Sequence, residues 1–240
     1  MVSKNQIKLI TALRQKKFRR EYNLFFAEGY KVIRELLESE FVLHHLYESE
    51  SLFNDVSPHQ RTFVTDSELQ KLSALTSANN CLAVFEIPKP KPTADSGLIV
   101  ALDDIRDPGN LGTIMRLCDW FGVEQLVCSL STVDIYNPKV IQATMGSISR
   151  IQVTYTDLAD YIRKSALPVF GTFLDGENIY QQKLPSEAII VLGNEANGIS
   201  REVTDSILNK LTIPRFGKLQ QTESLNVATA TAILLSEFRR

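Results

Sequence analysis

Apolar positions recur along the chain with two different periods, and the changes of period mark out its elements. Residues 4–19 place Ile7, Ile10, Ala12 and Leu13 on one side of a basic stretch, which predicts a single helix. Residues 25–29 are extended in character, and 30–39 predict a second helix through Val32, Ile33, Leu36 and Leu37. Residues 43–47, 62–64 and 82–85 predict short strands, with 66–75 helical between the last two. Such alternation over a short length implies a small α/β sandwich.

Beyond residue 97 the alternation is clearer. Continuous apolar runs at 98–102 and 188–192 predict buried strands, and 125–128, 151–154, 169–172 and 211–213 predict shorter ones. Between them, 113–121, 137–147, 158–164, 200–208 and 224–238 read as helices. The expected fold class is therefore α/β, with a C-terminal parallel sheet covered on both faces. The Pro/Lys alternation of Pro88-Lys89-Pro90-Lys91-Pro92 should be extended and semi-rigid, because each proline restricts its predecessor. It sets the expected division into an N-terminal domain at 1–90, a linker at 91–96 and a C-terminal domain at 97–240.

Composition narrows the class. The hydrophobic fraction of 44% and charged fraction of 22% are those of a folded globular chain. No apolar run approaches the roughly 18 residues of a membrane span, and the N-terminus lacks a signal-peptide core. Cys81, Cys118 and Cys128 are odd in number, sit in apolar surroundings and form no CxxC, so neither a disulfide framework nor a metal site is expected. The expected compartment is the reducing cytoplasm. Net charge is −2, yet residues 1–20 hold Lys4, Lys8, Arg14, Lys16, Lys17, Arg19 and Arg20 with no acidic residue. A cluster of that kind is either a solvated helix face or a phosphate-binding surface.

Three strand-to-helix junctions are rich in Asn, Gly, Glu and Ser: Asp107-Pro108-Gly109-Asn110-Leu111-Gly112, Gly193-Asn194-Glu195-Ala196-Asn197-Gly198, and Thr222-Glu223-Ser224-Leu225-Asn226. Ligands of open α/β sheets sit in loops of this position. Each junction also has a purely local explanation. Asn110 serves as a helix cap, Glu195 as favourable charge at a helix N-terminus, and Ser224 or Asn226 as a cap for the last helix. Arg116 lies opposite the apolar face of Ile114, Leu117, Cys118 and Phe121. It is either half of an i,i+3 pair with Asp119 or a guanidinium presented to a phosphate. Gly193, directly after an apolar strand, lacks the Cβ that would keep a ligand from the backbone. Neither a dinucleotide fingerprint nor a P-loop is present.

Together the junctions resemble the three signature motifs of the SpoU (TrmH) family of RNA ribose 2′-O-methyltransferases, in the SPOUT superfamily. The matching stretches run from Asp107 through Arg116, from Val191 through Ser200, and from Ile213-Pro214-Arg215-Phe216-Gly217 to Glu223-Ser224-Leu225-Asn226-Val227. Ala143-Thr144-Met145-Gly146-Ser147 is similar to the family's A-S-M-G-A segment, with Thr144 where Ser is usual. Residues 4–88, through Asn5, Lys8, Lys16-Lys17-Phe18-Arg19 and Phe25-Phe26-Ala27-Glu28-Gly29, look like an L30e-like substrate-binding domain. One departure stands out: Lys218-Leu219-Gln220-Gln221 lengthens the third junction and alters the expected wall at 217–222.

The resemblance implies a deep trefoil knot near the C-terminus, a homodimer, and S-adenosyl-L-methionine as cofactor. It implies a catalytic cleft of Asn110, Arg116, Glu195, Ser224 and Asn226, and cofactor contacts from Gly193, Ile213, Leu225, Thr172 and Leu192. With an RNA enzyme behind it, the basic run Lys16, Lys17, Arg19 and Arg20 reads as an RNA-binding surface. The implied activity is methylation of a ribose 2′-hydroxyl in rRNA, 23S rRNA first, without a metal. Alternatives are a tRNA ribose 2′-O-methyltransferase, a noncatalytic RNA-binding or assembly protein retaining the fold, and a small-molecule enzyme on a flavodoxin-like sheet.

Overall fold

The computed structural model describes residues 2–93, 96–217, 219 and 224–240. In chain order the elements are α1 (Lys4–Ala12), α2 (Lys16–Tyr22), β1 (Leu24–Glu28), α3 (Tyr30–Leu37), β2 (Leu43–Glu48), β3 (Arg61–Phe63), α4 (Asp66–Leu72) and β4 (Cys81–Glu86). They continue with β5 (Leu98–Leu102), α5 (Pro108–Trp120), β6 (Gln125–Ser129), α6 (Pro138–Thr144), β7 (Gln152–Thr156) and α7 (Leu158–Lys164). The last are β8 (Val169–Asn178), β9 (Ala188–Leu192), α8 (Arg201–Thr204), β10 (Asn209–Thr212) and α9 (Val227–Phe238). Most of the lengthened third junction, namely Lys218, Gln220 and Gln221, lies outside the described residues, as do Thr222 and Glu223.

Two compact units form. One comprises Met1–Lys89 and Asp134–Ser149, and the other Pro90–Val133 and Arg150–Arg240. The expected consecutive division thus differs at residues 134–149, whose side chains are bonded into the first unit. The Tyr136 ring lies 4.8 Å from that of Phe25, and Gly146 leaves no room for a Cβ against Glu35.

In the first unit a four-stranded sheet has the order β1-β4-β2-β3. β4 is antiparallel to both its neighbours, and β3 joins β2 in parallel. A capping box starts α1, with the Ser3 hydroxyl accepting from Gln6 N and the Gln6 side chain accepting from Ser3 N. The single helix expected over 4–19 is instead two. The chain leaves the helix after Leu13, which is fully buried, and Gln15 turns extended (φ −101, ψ 133). Arg14 reaches away to the carbonyls of Leu72 and Ser73, at 3.2 and 2.5 Å.

The break frees two carbonyls, and Arg19 takes both. Its Nη1 donates to Leu13 O at 2.9 Å and Arg14 O at 3.0 Å, while Nε and Nη2 bind Asp134 Oδ2. Arg19 is only 2% exposed. The expectation that it binds RNA is therefore overturned: its donors already serve the chain, and its charge is paired at 2.5 Å. Lys17 and Arg20, by contrast, are exposed.

The second unit holds a six-stranded sheet ordered β10-β8-β9-β5-β6-β7, every pairing parallel. The strands β5, β6 and β9 are buried at every position; β5 and β9 are the continuous apolar runs that a sheet covered on both faces requires, and β6 buries Gln125 and Ser129 at its ends. From β5 the chain moves outward through β6 to β7. It then crosses to β8, returns to β9 beside β5, and leaves in the other direction to β10. The strand order therefore reverses between β5 and β9. The loops after these two strands meet at the sheet's carboxyl edge, the place where ligands of such sheets bind.

Two differences from the expected elements bear on that edge. Residues 200–208 form only the four-residue α8, and β8 extends to Asn178. Along β8 the ladder to β10 shifts register, with Gly171 opposite Lys210 but Glu177 opposite Leu211, so residues 172–176 leave the ladder.

Candidate active site at the carboxyl edge of the parallel sheet

The helix after β5 begins five residues earlier than its apolar pattern predicts, and this decides what Asn110 does. Asp107 is the N-cap, its Oδ1 accepting from Asn110 N at 2.7 Å, and Pro108 fills the first turn, where no donor is needed. Asn110 therefore sits inside the helix and its side chain is released from capping. Its Nδ2 donates to Glu195 Oε1, in the loop after β9. Its Oδ1 accepts from Asn226 Nδ2 at 2.9 Å.

Asn226 is the cap of the last helix, as one reading of its junction expects. Its Oδ1 accepts from Ala228 N at 3.0 Å and Thr229 N at 3.3 Å, which leaves the amide nitrogen free for Asn110. A chain of hydrogen bonds thus runs from Glu195 through Asn110 and Asn226 into the first turn of α9, uniting all three junctions.

The two helices are fixed side by side. At their starts Asn226 meets Asn110; at their ends Arg239 donates to Phe121 O at 2.8 Å and Gly122 O at 2.7 Å. They therefore run in the same direction, and both positive N-terminal ends lie beside the Glu195 carboxylate. The small buried residues Ala228 and Thr231 on α9 suit close packing against α5.

The loop after β9 holds itself. Asn194 exchanges backbone hydrogen bonds with Gly198 at 3.0 and 2.8 Å. Its Oδ1 accepts from Ala196 N and Asn197 N, and its Nδ2 donates to Asp104 O at 2.8 Å, beyond β5. Asp103, 5% exposed, accepts Ser200 N at 2.8 Å and so clamps the same loop from the other side. A Cβ at Gly193 would collide with the backbone of Gly198 and Ile199. The glycine is therefore required by the loop's own closure, quite apart from any ligand. Asp103 and the clamping role of Asn194 escaped the sequence reading. The only available signal was the polar pair Asp103-Asp104 directly after a buried strand.

Arg116 is exposed, and among the described residues it makes no hydrogen bond or ion pair. The i,i+3 pair with Asp119 does not form, because Asp119 receives Arg150 in a bidentate contact at 3.0 Å. Arg116 lies six positions beyond Asn110, about 9 Å along the helix axis, and the hydrogen-bonded set comprises Asn110, Glu195 and Asn226 but not Arg116. Ser224 is exposed and has no hydrogen bond among the described residues.

The expected cofactor contacts lie on neighbouring strands and on the junction before α9. Leu192 ends β9, and Gly193 follows it. Thr172 stands where β8 leaves its ladder, with Oγ1 donating to Val191 O at 3.2 Å. Ile213 follows β10 and is half-buried, and Leu225 is 46% exposed. Phe216, 83% exposed, adds a second uncovered apolar side chain. No group of His, Cys, Asp and Glu among the described residues could hold a metal ion.

A parallel sheet with its polar constellation at the reversal of strand order defines an α/β enzyme acting on a ligand at the carboxyl edge. The model of the SpoU rRNA methylase family matches residues 97–236, and an MRM3-like substrate binding domain matches residues 4–83. The chain belongs to the SpoU rRNA methylase family.

Its relatives agree. It is 29% identical to the 23S rRNA (guanosine(2553)-2′-O)-methyltransferase RlmP of Bacillus subtilis, over 99% of this chain and 97% of the other. A solved TrmH-family protein from Porphyromonas gingivalis superposes with a TM-score of 0.92 at 39% identity, covering 100% of this chain and 99% of that one. An AdoMet-bound rRNA methyltransferase from Sinorhizobium meliloti superposes at 0.88 with 28% identity, covering 100% and 97%.

Proposed function

We propose that this protein is an S-adenosylmethionine-dependent ribose 2′-O-methyltransferase of rRNA, with 23S rRNA as its substrate. The observation that carries the reading is the bonded set Glu195, Asn110 and Asn226 at the reversal of strand order, inside the family match. The relation to RlmP along nearly the whole length supports the large-subunit RNA over tRNA.

When bound, the cofactor supplies a methyl group activated on a positively charged sulfur, so no metal is needed to make it reactive. The protein's part is to place a ribose hydroxyl in line with that group and manage its proton. Leu192, Gly193, Ile213, Leu225 and Thr172 would hold the cofactor, with Gly193, Ile213 and Leu225 contacting it largely through backbone atoms. Arg116, exposed and free of partners among the described residues, is suited to grip a phosphate with its planar fork and polarise the neighbouring hydroxyl. A guanidinium with a pKa above about 12 is a poor proton acceptor, so its role is binding and orientation. Ser224 and Asn226 complete the orientation. Lys16, Lys17 and Arg20 would track RNA phosphates.

A homodimer sharing the cleft, a knotted path around the cofactor, and action in the cytoplasm belong to the same reading. So does a substrate-binding role for residues 1–90. Mapping 2′-O-methyl marks in total RNA with and without the gene tests it. One mark on 23S rRNA should disappear; an unchanged map would reject the enzymatic reading.

A further inference from the structure

With Arg19 withdrawn into the interior, α2 presents something other than a plain basic face. Phe18 and Tyr22, one helical turn apart, hold their rings 14° from parallel with centroids 6.2 Å apart. Tyr22 is 45% exposed, Phe18 is half-buried, and Lys17 Nζ stands 5.6 Å from the Phe18 centroid. The helix beneath them is held firmly. Arg19 ties its buried side to Leu13, Arg14 and Asp134. Asn23, in the left-handed conformation at its end (φ 55), donates from its side chain to Ile87 O at 3.0 Å. A rigid, partly exposed π surface beside the exposed cation Lys17 has the two features by which proteins take up unpaired nucleotides: a face to stack on and charge to follow the phosphates.

We propose that the Phe18–Tyr22 pair on α2 is a stacking platform for an unpaired nucleobase of the RNA substrate. This rests on the RNA reading given above and adds to it that the N-terminal unit engages a single-stranded loop or bulge. A paired helix would keep its bases from the rings. The alternative is purely local: an i,i+4 aromatic pair that supports a short helix, a task leucine would also perform.

The two are separated by replacing the π face while keeping the bulk. The full-length protein, Tyr22→Leu and Tyr22→Phe are titrated with a single-stranded adenosine-rich RNA containing one 2-aminopurine, and with the same strand in a fully paired duplex. Tyr22→Leu should weaken single-strand binding by about five-fold or more and abolish the fluorescence change of the stacked base. Tyr22→Phe should restore both, and duplex affinity should be the same for all three. Single-strand binding by Tyr22→Leu equal to wild type would overturn the proposal, as would an equal loss on duplex. If the fluorescence response persists while no 2′-O-methyl mark depends on the gene, the platform stands and the methyltransferase reading falls.

Discussion

The side-chain amide of Asn226 donates to the side-chain oxygen of Asn110 at 2.9 Å, across 116 positions of sequence. The same Asn226 caps α9 with its other atom, so one side chain both starts a helix and orients the residue that binds Glu195. These two tasks are separable. Serine caps a helix about as well as asparagine but has no amide to offer Asn110. Asn226→Ser should leave the melting temperature within a few degrees of wild type and lower kcat for methyl transfer about ten-fold or more. If kcat were unchanged at equal stability, the Asn226–Asn110 bond would be irrelevant to catalysis.

Arg116 is exposed and without partners among the described residues, so its replacement should cost little stability, within about 0.5 kcal/mol. Arg116→Lys retains the charge and loses the planar fork. A fall in kcat/KM of about ten-fold or more, with thermal unfolding unchanged, is expected. Near-normal turnover would remove the bidentate contact from the mechanism.

Gly193→Ala tests why that position has no side chain. A Cβ there strikes the backbone of Gly198 and Ile199, which cannot swing aside as a flexible side chain would. The apo protein should lose about 1–3 kcal/mol, an ordinary overpacking cost, in denaturant unfolding without cofactor. Equal stability of the apo variant would mean that the glycine serves ligand approach alone.

Arg19→Ala leaves Asp134 with no cation and two carbonyls without donors, in an environment where Arg19 is 2% exposed. Breaking a buried pair from one side typically costs about 3–5 kcal/mol, and a loss of that order is expected in urea unfolding. Charge removal at Lys17 and Arg20 should instead spare stability. It should flatten the salt dependence of RNA binding by roughly 0.7 per lost single-strand contact. A surface role for Arg19 would produce the second signature in Arg19→Ala in place of the first.

Burial pushes the thiols of Cys81 and Cys118 up from 9.0 to about 12, and raises that of Cys128 as well. Burial disfavours the thiolate, so the folded state keeps its protons where the unfolded chain loses them. Stability from these groups is complete below about pH 9 and is lost progressively as pH rises from 9 towards 12. The folded protein should resist a thiol reagent at pH 8, with all three cysteines reacting on unfolding. Fast labelling of native protein would show that the thiols are accessible.

How much could be read in advance varied from element to element. The strands at 98–102 and 188–192 and the helix at 158–164 coincide with the observed elements because each is short, uninterrupted and bounded by turn residues. The helix expected over 4–19 splits because Leu13 and Arg14 answer to distant partners in α4 and beyond, which no local period records. The helix expected over 200–208 shortens to Arg201–Thr204, because residues 205–208 turn the chain into β10, which starts at Asn209.

The sequence by itself determined the α/β alternation, the three polar junctions and their family resemblance, since local periodicity and residue type encode these directly. Only the tertiary structure decided which polar groups are free to act. Arg19 and Arg20 are adjacent and chemically identical, yet one is consumed by two carbonyls and an aspartate while the other faces solvent. Asn110 reads as a cap until Asp107 takes that place and frees its side chain for Glu195 and Asn226. The physical reason is the same in both cases. A donor or acceptor has one set of partners, and which partners reach it first depends on contacts between residues far apart in the chain.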